Sequence, residues 1–187
     1  QRQMCIRDRQ ITFHFETNKA KIYADMDAIK LGVILDNLLS NAVKFTPDGG
    51  SVRLSLFYRE ETGLLDICVS DTGSGIPQQD IPYIFQRFFQ SPHSGNKEGT
   101  GIGLYLVKTY TELHGGHING VTSNEGKGTS IGLNIPVIAV EKEEIPATQV
   151  KKQLESLPVL KPIEAESQDE KFLSNIIRPV SYTHLTL

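Results

Sequence analysis

Asn37, Asn41 and Lys44 stand inside an otherwise apolar stretch, Asn-Leu-Leu-Ser-Asn-Ala-Val-Lys-Phe, at residues 37–45. At the helical period of about 100° per residue they share an arc of roughly 60°. Leu31, Ile34, Leu38, Ala42 and Phe45 form an apolar stripe beside them, at core-facing spacing. Asn is a poor helix-interior residue because its side chain competes for backbone hydrogen bonds. Two Asn one turn apart, followed by a Lys, suggest a helix face shaped for a ligand. An ordinary solvated face fits this helix equally well when it is taken alone.

Three glycine segments follow. Val69-Ser70-Asp71-Thr72-Gly73-Ser74-Gly75-Ile76-Pro77 ends a run in which Leu65, Ile67 and Val69 alternate as on a strand, with Asp71 in phase. A carboxylate at the inward end of a strand must find donors, and the exocyclic amino group of a purine is a suitable one. Gly73 and Gly75 let the backbone turn and approach a flat ligand; an ordinary strand-to-loop turn has the same chemistry. Gly99-Thr100-Gly101-Ile102-Gly103-Leu104 opens a helical pattern, where free backbone N–H groups and the positive helix end suit phosphate. Its spacing is neither the dinucleotide fingerprint nor a P-loop. Gly126-Lys127-Gly128-Thr129 opens a strand whose inward phase holds Ile131, Leu133 and Ile135, and Thr129 shares it. Asp71 and Thr129 are therefore expected as neighbours in a purine pocket.

The elements that must position these groups follow from the same periodicities. Strands are expected over 11–16, 22–24, 51–58, 64–71, 116–123 and 129–136, with helices over 27–45, 81–85 and 102–114. Pro47-Asp48-Gly49-Gly50 is a turn, and Gly115 stops the last helix as a left-handed cap. Adjacent antiparallel strands with helices on one face make an α+β two-layer sandwich with a mixed, mostly antiparallel sheet.

The order of these segments resembles the ATP-binding domain of sensor histidine kinases, in the wider family that includes gyrase, heat-shock chaperone and MutL ATPases. Residues 37–44 match its Asn box, 71–77 its first glycine box, 84–90 (Ile-Phe-Gln-Arg-Phe-Phe-Gln) its Phe box, and 99–104 and 126–129 the later glycine boxes. The match covers about residues 11–137, and the sequence is also similar to hybrid sensor kinases of Bacteroidetes type. The resemblance implies a Bergerat ATP-binding fold, with ATP and Mg²⁺ as cofactors. Asn41 is then the metal ligand, through a hard neutral oxygen, and Lys44 a mobile charge for the phosphates. Asp71 accepts from the adenine amino group with Thr129 assisting, and Gly73, Gly75 and Ile76 shape the base site. Gly99, Thr100, Gly101, Ile102, Gly103 and Leu104 form the triphosphate loop. Residues 88–98 form a lid, with Phe88 or Phe89 as its latch, the two not being separable from sequence. Asn37, Lys44 and Arg87 are expected to serve the transfer, Arg87 near the acceptor interface or a phosphate. ATP-hydrolysing relatives carry a Glu where this chain has Asn37. Asn cannot take a proton at neutral pH, which argues for phosphoryl transfer and against hydrolysis. Ser74 stands where the family often has Ile.

The implied partners are a histidine-bearing dimerisation domain upstream and a response-regulator receiver domain. A pseudokinase that binds ATP without transfer is the alternative. An aspartic-protease half is a rival on Asp71-Thr72-Gly73-Ser74 alone, but it leaves the Asn box and later glycine boxes unexplained. Composition sets the remaining bounds. The chain has 187 residues, 39% hydrophobic and 22% charged, with a net charge of −3, as in a globular protein and without the basic excess of a nucleic-acid binder. No apolar run is long enough for a membrane span and no secretory signal is apparent. The expected setting is cytoplasmic, with membrane attachment only through other parts of a parent kinase. Residues 1–9 and 178–187 fit no element and read as non-native tails, 10–138 as the domain, and 139–177 as a linker rich in Glu, Lys, Pro, Gln and Ser. Cys68 reads as a half-buried filler, and His114 and His117 as turn and helix-cap residues.

Overall fold

The computed structural model describes residues 9–92, 99–139 and 184–186. Strand β1 (Thr12–Thr17) and the short β2 (Tyr23–Asp25) precede helix α1 (Ala28–Phe45). Strands β3 (Ser51–Arg59) and β4 (Leu64–Asp71) follow, then a single 3₁₀ turn (Ile81–Tyr83) and helix α2 (Gly103–Leu113). Strands β5 (His117–Asn124), β6 (Gly128–Pro136), β7 (Ile138–Ala139) and β8 (His184–Thr186) complete the described order.

Asp27 caps α1, its carboxylate accepting from the Lys30 amide at 3.0 Å. The Lys30 ammonium bonds the same carboxylate and, with the amide, holds Asp27 below its ordinary pKa. At the other end the buried Thr46 hydroxyl donates to Ala42 O at 2.7 Å, satisfying a carbonyl of the last turn. Arg9, expected in a tail, donates to the carbonyls of Val43 and Thr46 and pairs with Asp48.

Five strands form a mixed sheet in the order β1-β3-β4-β6-β5. Its core pairs are antiparallel, Leu54 facing Val69 and Val69 facing Ile131. β1 runs parallel to β3, Thr12 opposite Ser51; parallel neighbours need a crossover, and α1 lies within it. The inward phase of each strand is buried: Val52, Leu54 and Leu56, then Leu65, Ile67 and Val69, then Ile131, Leu133 and Ile135. These meet Leu31, Ile34, Leu35 and Leu38 of α1 and Val107 of α2 in one core. Each such side chain contributes about 1.5–3 kcal/mol. The expected two-layer arrangement with helices on one face is therefore the fold.

Two features go beyond the sequence expectation. Ile118 faces Leu133 and Gly120 faces Gly132, so Asn119 is a surplus residue bulging from β5. A second, three-stranded sheet runs β7-β2-β8, with Ala24 between Ala139 and Leu185. The strand expected over 22–24 is β2, whereas β7 and β8 are too short for a periodic signal. The expected linker begins with Ala139, which lies in β7, and residues 140–183 lie outside the described residues. Among the described residues no helix is long and apolar enough to cross a membrane.

Candidate functional site

A cavity of about 490 Å³ opens between α1, the inner ends of β4 and β6, and the loop before α2. Asn37, Asn41 and Lys44 line one side; Asp71, Ser74, Gly75, Ile76 and Thr129 line the other; Gly99, Thr100, Gly101, Gly103 and Leu104 close the third. Leu38, Val69, Ile84, Phe89 and Ile131 supply its apolar wall. Apolar walls with a few convergent polar groups are the usual form of a small-molecule site.

On the helix face the Asn37 amide is locally satisfied. Asn37 Nδ2 donates to Val33 O at 2.8 Å, one turn back. This bond removes the competition that makes Asn a poor helix residue and fixes which end of the amide is the oxygen. Asn37 Oδ1 lies where α2 begins: a Cβ added to Gly103 would sit 2.7 Å from it. Asn41 follows one turn on, and the Lys44 ammonium lies beside Gly99, where a Cβ would come within 3.2 Å of Nζ.

At the opposite wall, Asp71 Oδ1 accepts from Gly73 N at 2.7 Å and from Thr129 N at 3.3 Å. Burial pushes the carboxyl above its ordinary value of 3.8, and these two bonds pull partly against that. Ser123, which the sequence reading passed over, is the hub behind them and is only 3% exposed. Its Oγ accepts from Ile76 N at 2.7 Å, donates to Gly128 O at 3.1 Å and lies 2.9 Å from Thr129 Oγ1. Its signal was its inward phase on β5, which the bulge at Asn119 obscured. Gly75 (φ +73°) packs so tightly on Asn124 that a Cβ would overlap its carbonyl.

The glycine loop is held from the Phe-box side. Phe88 N donates to Gly101 O at 2.8 Å, and Gln90 Nε2 donates to Gly99 O at 2.9 Å. In a trans peptide the N–H points opposite to the carbonyl. These two bonds therefore turn the amides of Thr100 and Ile102 away from residues 88–90. Gly101 takes φ +67°, and a Cβ there would lie 2.6 Å from the Phe88 carbonyl carbon. Ser91 donates to the buried Asp80 and fixes the next residue along.

The sequence-predicted residues thus converge with few exceptions. Gly73 and Ile102 are not among the lining residues; Gly73 donates to the lining Asp71, and Ile102 immediately precedes α2. Arg87 does not line the cavity: its guanidinium lies over the Phe88 ring, 4.6 Å from the centroid. The two phenylalanines separate clearly, Phe89 lining the cavity beside Tyr83 and Phe88 being 59% exposed. Residues 93–98 of the expected lid lie outside the described residues. His114 caps α2 with Nδ1 at 2.7 Å from Tyr110 O, and the half-buried Cys68 has its thiol 3.3 Å from Ser130 Oγ.

Comparison with known proteins agrees with this geometry. Residues 26–139 match the family model described as histidine kinase-, DNA gyrase B-, and HSP90-like ATPase. The sensor histidine kinase WalK of Bacillus subtilis is 37% identical over 132 residues, which is 70% of this chain and 21% of WalK. Among solved structures, the mycobacterial sensor histidine kinase MprB superposes with a TM-score of 0.63 at 30% identity, covering 74% of this chain and 91% of that one. Full-length ShkA in complex with AMPPNP gives a TM-score of 0.63 at 27% identity, covering 74% of this chain and 28% of that one. With its amide helix face, its inward aspartate and its glycine loop in one cavity, the chain belongs to the histidine kinase-like ATPase family, as the ATP-binding catalytic domain of a sensor histidine kinase.

Proposed function

We propose that the cavity binds ATP with Mg²⁺ and that the γ-phosphoryl group passes to a histidine on a separate dimerisation domain, from which a receiver domain takes it. The observation that carries this reading is the convergence of three chemistries on one cavity: an ionisable acceptor at its inner wall (Asp71), a helix start rich in glycine (Gly99 to Gly103), and the Asn37–Asn41–Lys44 face. Asp71 accepts from the adenine amino group. The amides turned outward by Phe88 and Gln90, with Lys44, hold the triphosphate.

Asn41 supplies one oxygen to the metal. A single neutral amide oxygen lining the cavity suits a magnesium ion that keeps its waters and takes its other ligands from phosphate, the ion supplying charge neutralisation when bound. Asn37 stands where a hydrolase would need a general base and offers only an amide, which supports transfer over hydrolysis. Phosphoryl transfer asks chiefly for positioning and charge compensation. Arg87 and Phe88, exposed together, serve the acceptor face. In a parent sensor kinase the domain works in the cytoplasm.

The test is radiolabel transfer from ATP, through this chain, to the purified dimerisation domain of its parent kinase. The expected product is an acid-labile, alkali-stable phosphohistidine, with little phosphate released by this chain alone. Brisk hydrolysis, or ATP binding with no transfer to the matched acceptor, would overturn the transferase reading.

A further inference from the structure

We infer that Ser123 fixes the hydrogen-bond polarity of Thr129, so that the inner wall of the cavity offers acceptors alone and selects a purine with an amino group at its six position. The inference rests on the reading of this cavity as a nucleotide site and adds a residue that none of the sequence motifs contains.

The argument is a count of protons. A serine hydroxyl has one proton and two lone pairs. Ser123 Oγ accepts from the Ile76 amide at 2.7 Å, which uses a lone pair. It lies 3.1 Å from the Gly128 carbonyl, which can only accept, so that bond uses the one proton. The remaining contact, 2.9 Å to Thr129 Oγ1, must then run from Thr129 to Ser123. Thr129 has spent its own proton inward and can present only lone pairs to the cavity it lines. Beside it, Asp71 directs Oδ1 at the amides of Gly73 and Thr129, and an ionised carboxylate has no proton to give. A ligand edge meeting this wall needs a donor. A six-amino purine carries one at the six position itself, whereas a six-oxo purine places a carbonyl there against two acceptors and carries its donor on the adjoining ring nitrogen instead, so the contact at the six position is left unpaired.

Ser123 is therefore a positioning residue: it touches no ligand and acts through Thr129. The test compares ATP with inosine triphosphate, which differs by that carbonyl and the adjoining ring proton. Affinities are measured by calorimetry at fixed Mg²⁺ for the wild type, Ser123→Ala, Thr129→Val and the double variant. The wild type should prefer ATP. Ser123→Ala frees the Thr129 proton to turn outward, and the preference should narrow by about three- to tenfold, the worth of one hydrogen bond. In the Thr129→Val background, Ser123→Ala should leave the preference unchanged.

Thr129→Val keeps the Ser123 contacts to Ile76 and Gly128, so it remains informative if Ser123→Ala does not fold. Its preference for ATP should also narrow. An unchanged preference in Thr129→Val, or an equal effect of Ser123→Ala with and without the Thr129 hydroxyl, would overturn the inference. Absence of ATP binding by the folded wild type would instead overturn the nucleotide reading beneath it.

Discussion

On the proposed reading single side chains select the ligand, and two substitutions should separate metal from base. Asn41→Ala should leave the fold intact and abolish the Mg²⁺ dependence of ATP affinity, read by titrating labelled ATP with and without the ion; unchanged dependence would remove Asn41 as a ligand. Asp71→Asn should weaken ATP binding by roughly 10- to 100-fold, the loss expected for a buried bond to a charged acceptor. The same change should not lower stability at neutral pH. An amide oxygen can still accept from Gly73 and Thr129, and the burial that raises the carboxyl acts against its ionised form. The sign follows from linkage. A folded-state value above the unfolded one gives stability that is fully present below 3.8 and is lost as pH rises through the folded value. Melting temperatures of the wild type and Asp71→Asn should therefore shift in favour of the variant as pH is raised from below 3.8 toward neutrality. Phe88 is the residue to change to test the proposed acceptor face. It holds φ +65° while 59% exposed, a left-handed strain of about 1–3 kcal/mol for a non-glycine residue. Phe88→Gly should keep or raise the melting temperature while slowing transfer to the dimerisation domain in trans.

At the level of elements, the glycine loop is built by what surrounds it. Gly101→Ala combines a left-handed backbone with a Cβ against Phe88, and should weaken nucleotide binding while sparing the core. Hydrogen exchange would show faster amide exchange at residues 99–103 with unchanged protection in β4 and β6. The sequence disclosed α1, β3, β4 and β6 almost to the residue, because each has a long run in one period and a fully buried face. It also pointed to residues at the ends of those runs that line the cavity, Asp71 and Thr129 among them. What stayed hidden depends on contacts distant in sequence. Nothing local marks Gln90 as the partner of Gly99, or Ser91 of Asp80. The parallel pairing of β1 and the sheet around β2 come from topology and from strands of two or three residues. Arg87 was placed by motif, but its stacking on Phe88 is a matter of packing that no motif specifies.

Across the whole molecule, one continuous core carries both walls of the cavity, so ligand and fold should be linked. Leu133 is fully buried on β6, between β4 and β5, and Leu133→Ala should cost about 2–5 kcal/mol, measured by chemical denaturation. ATP at a hundred times its dissociation constant should return about 2.7 kcal/mol, partly rescuing that variant. The bulge at Asn119 has a further meaning at this scale. Strands count in twos, yet Ile118 and Val121, three apart, both face the core side, opposite Leu133 and Ile131. The surplus residue changes odd to even partway along β5. It lets the strand begin with Ile118 inward and still end with Ser123 inward. The length of this edge strand is thus a parity check on the proton network behind Thr129: a deletion of one residue would leave composition and charge almost untouched, yet force either the start or the end of the strand to face the wrong way.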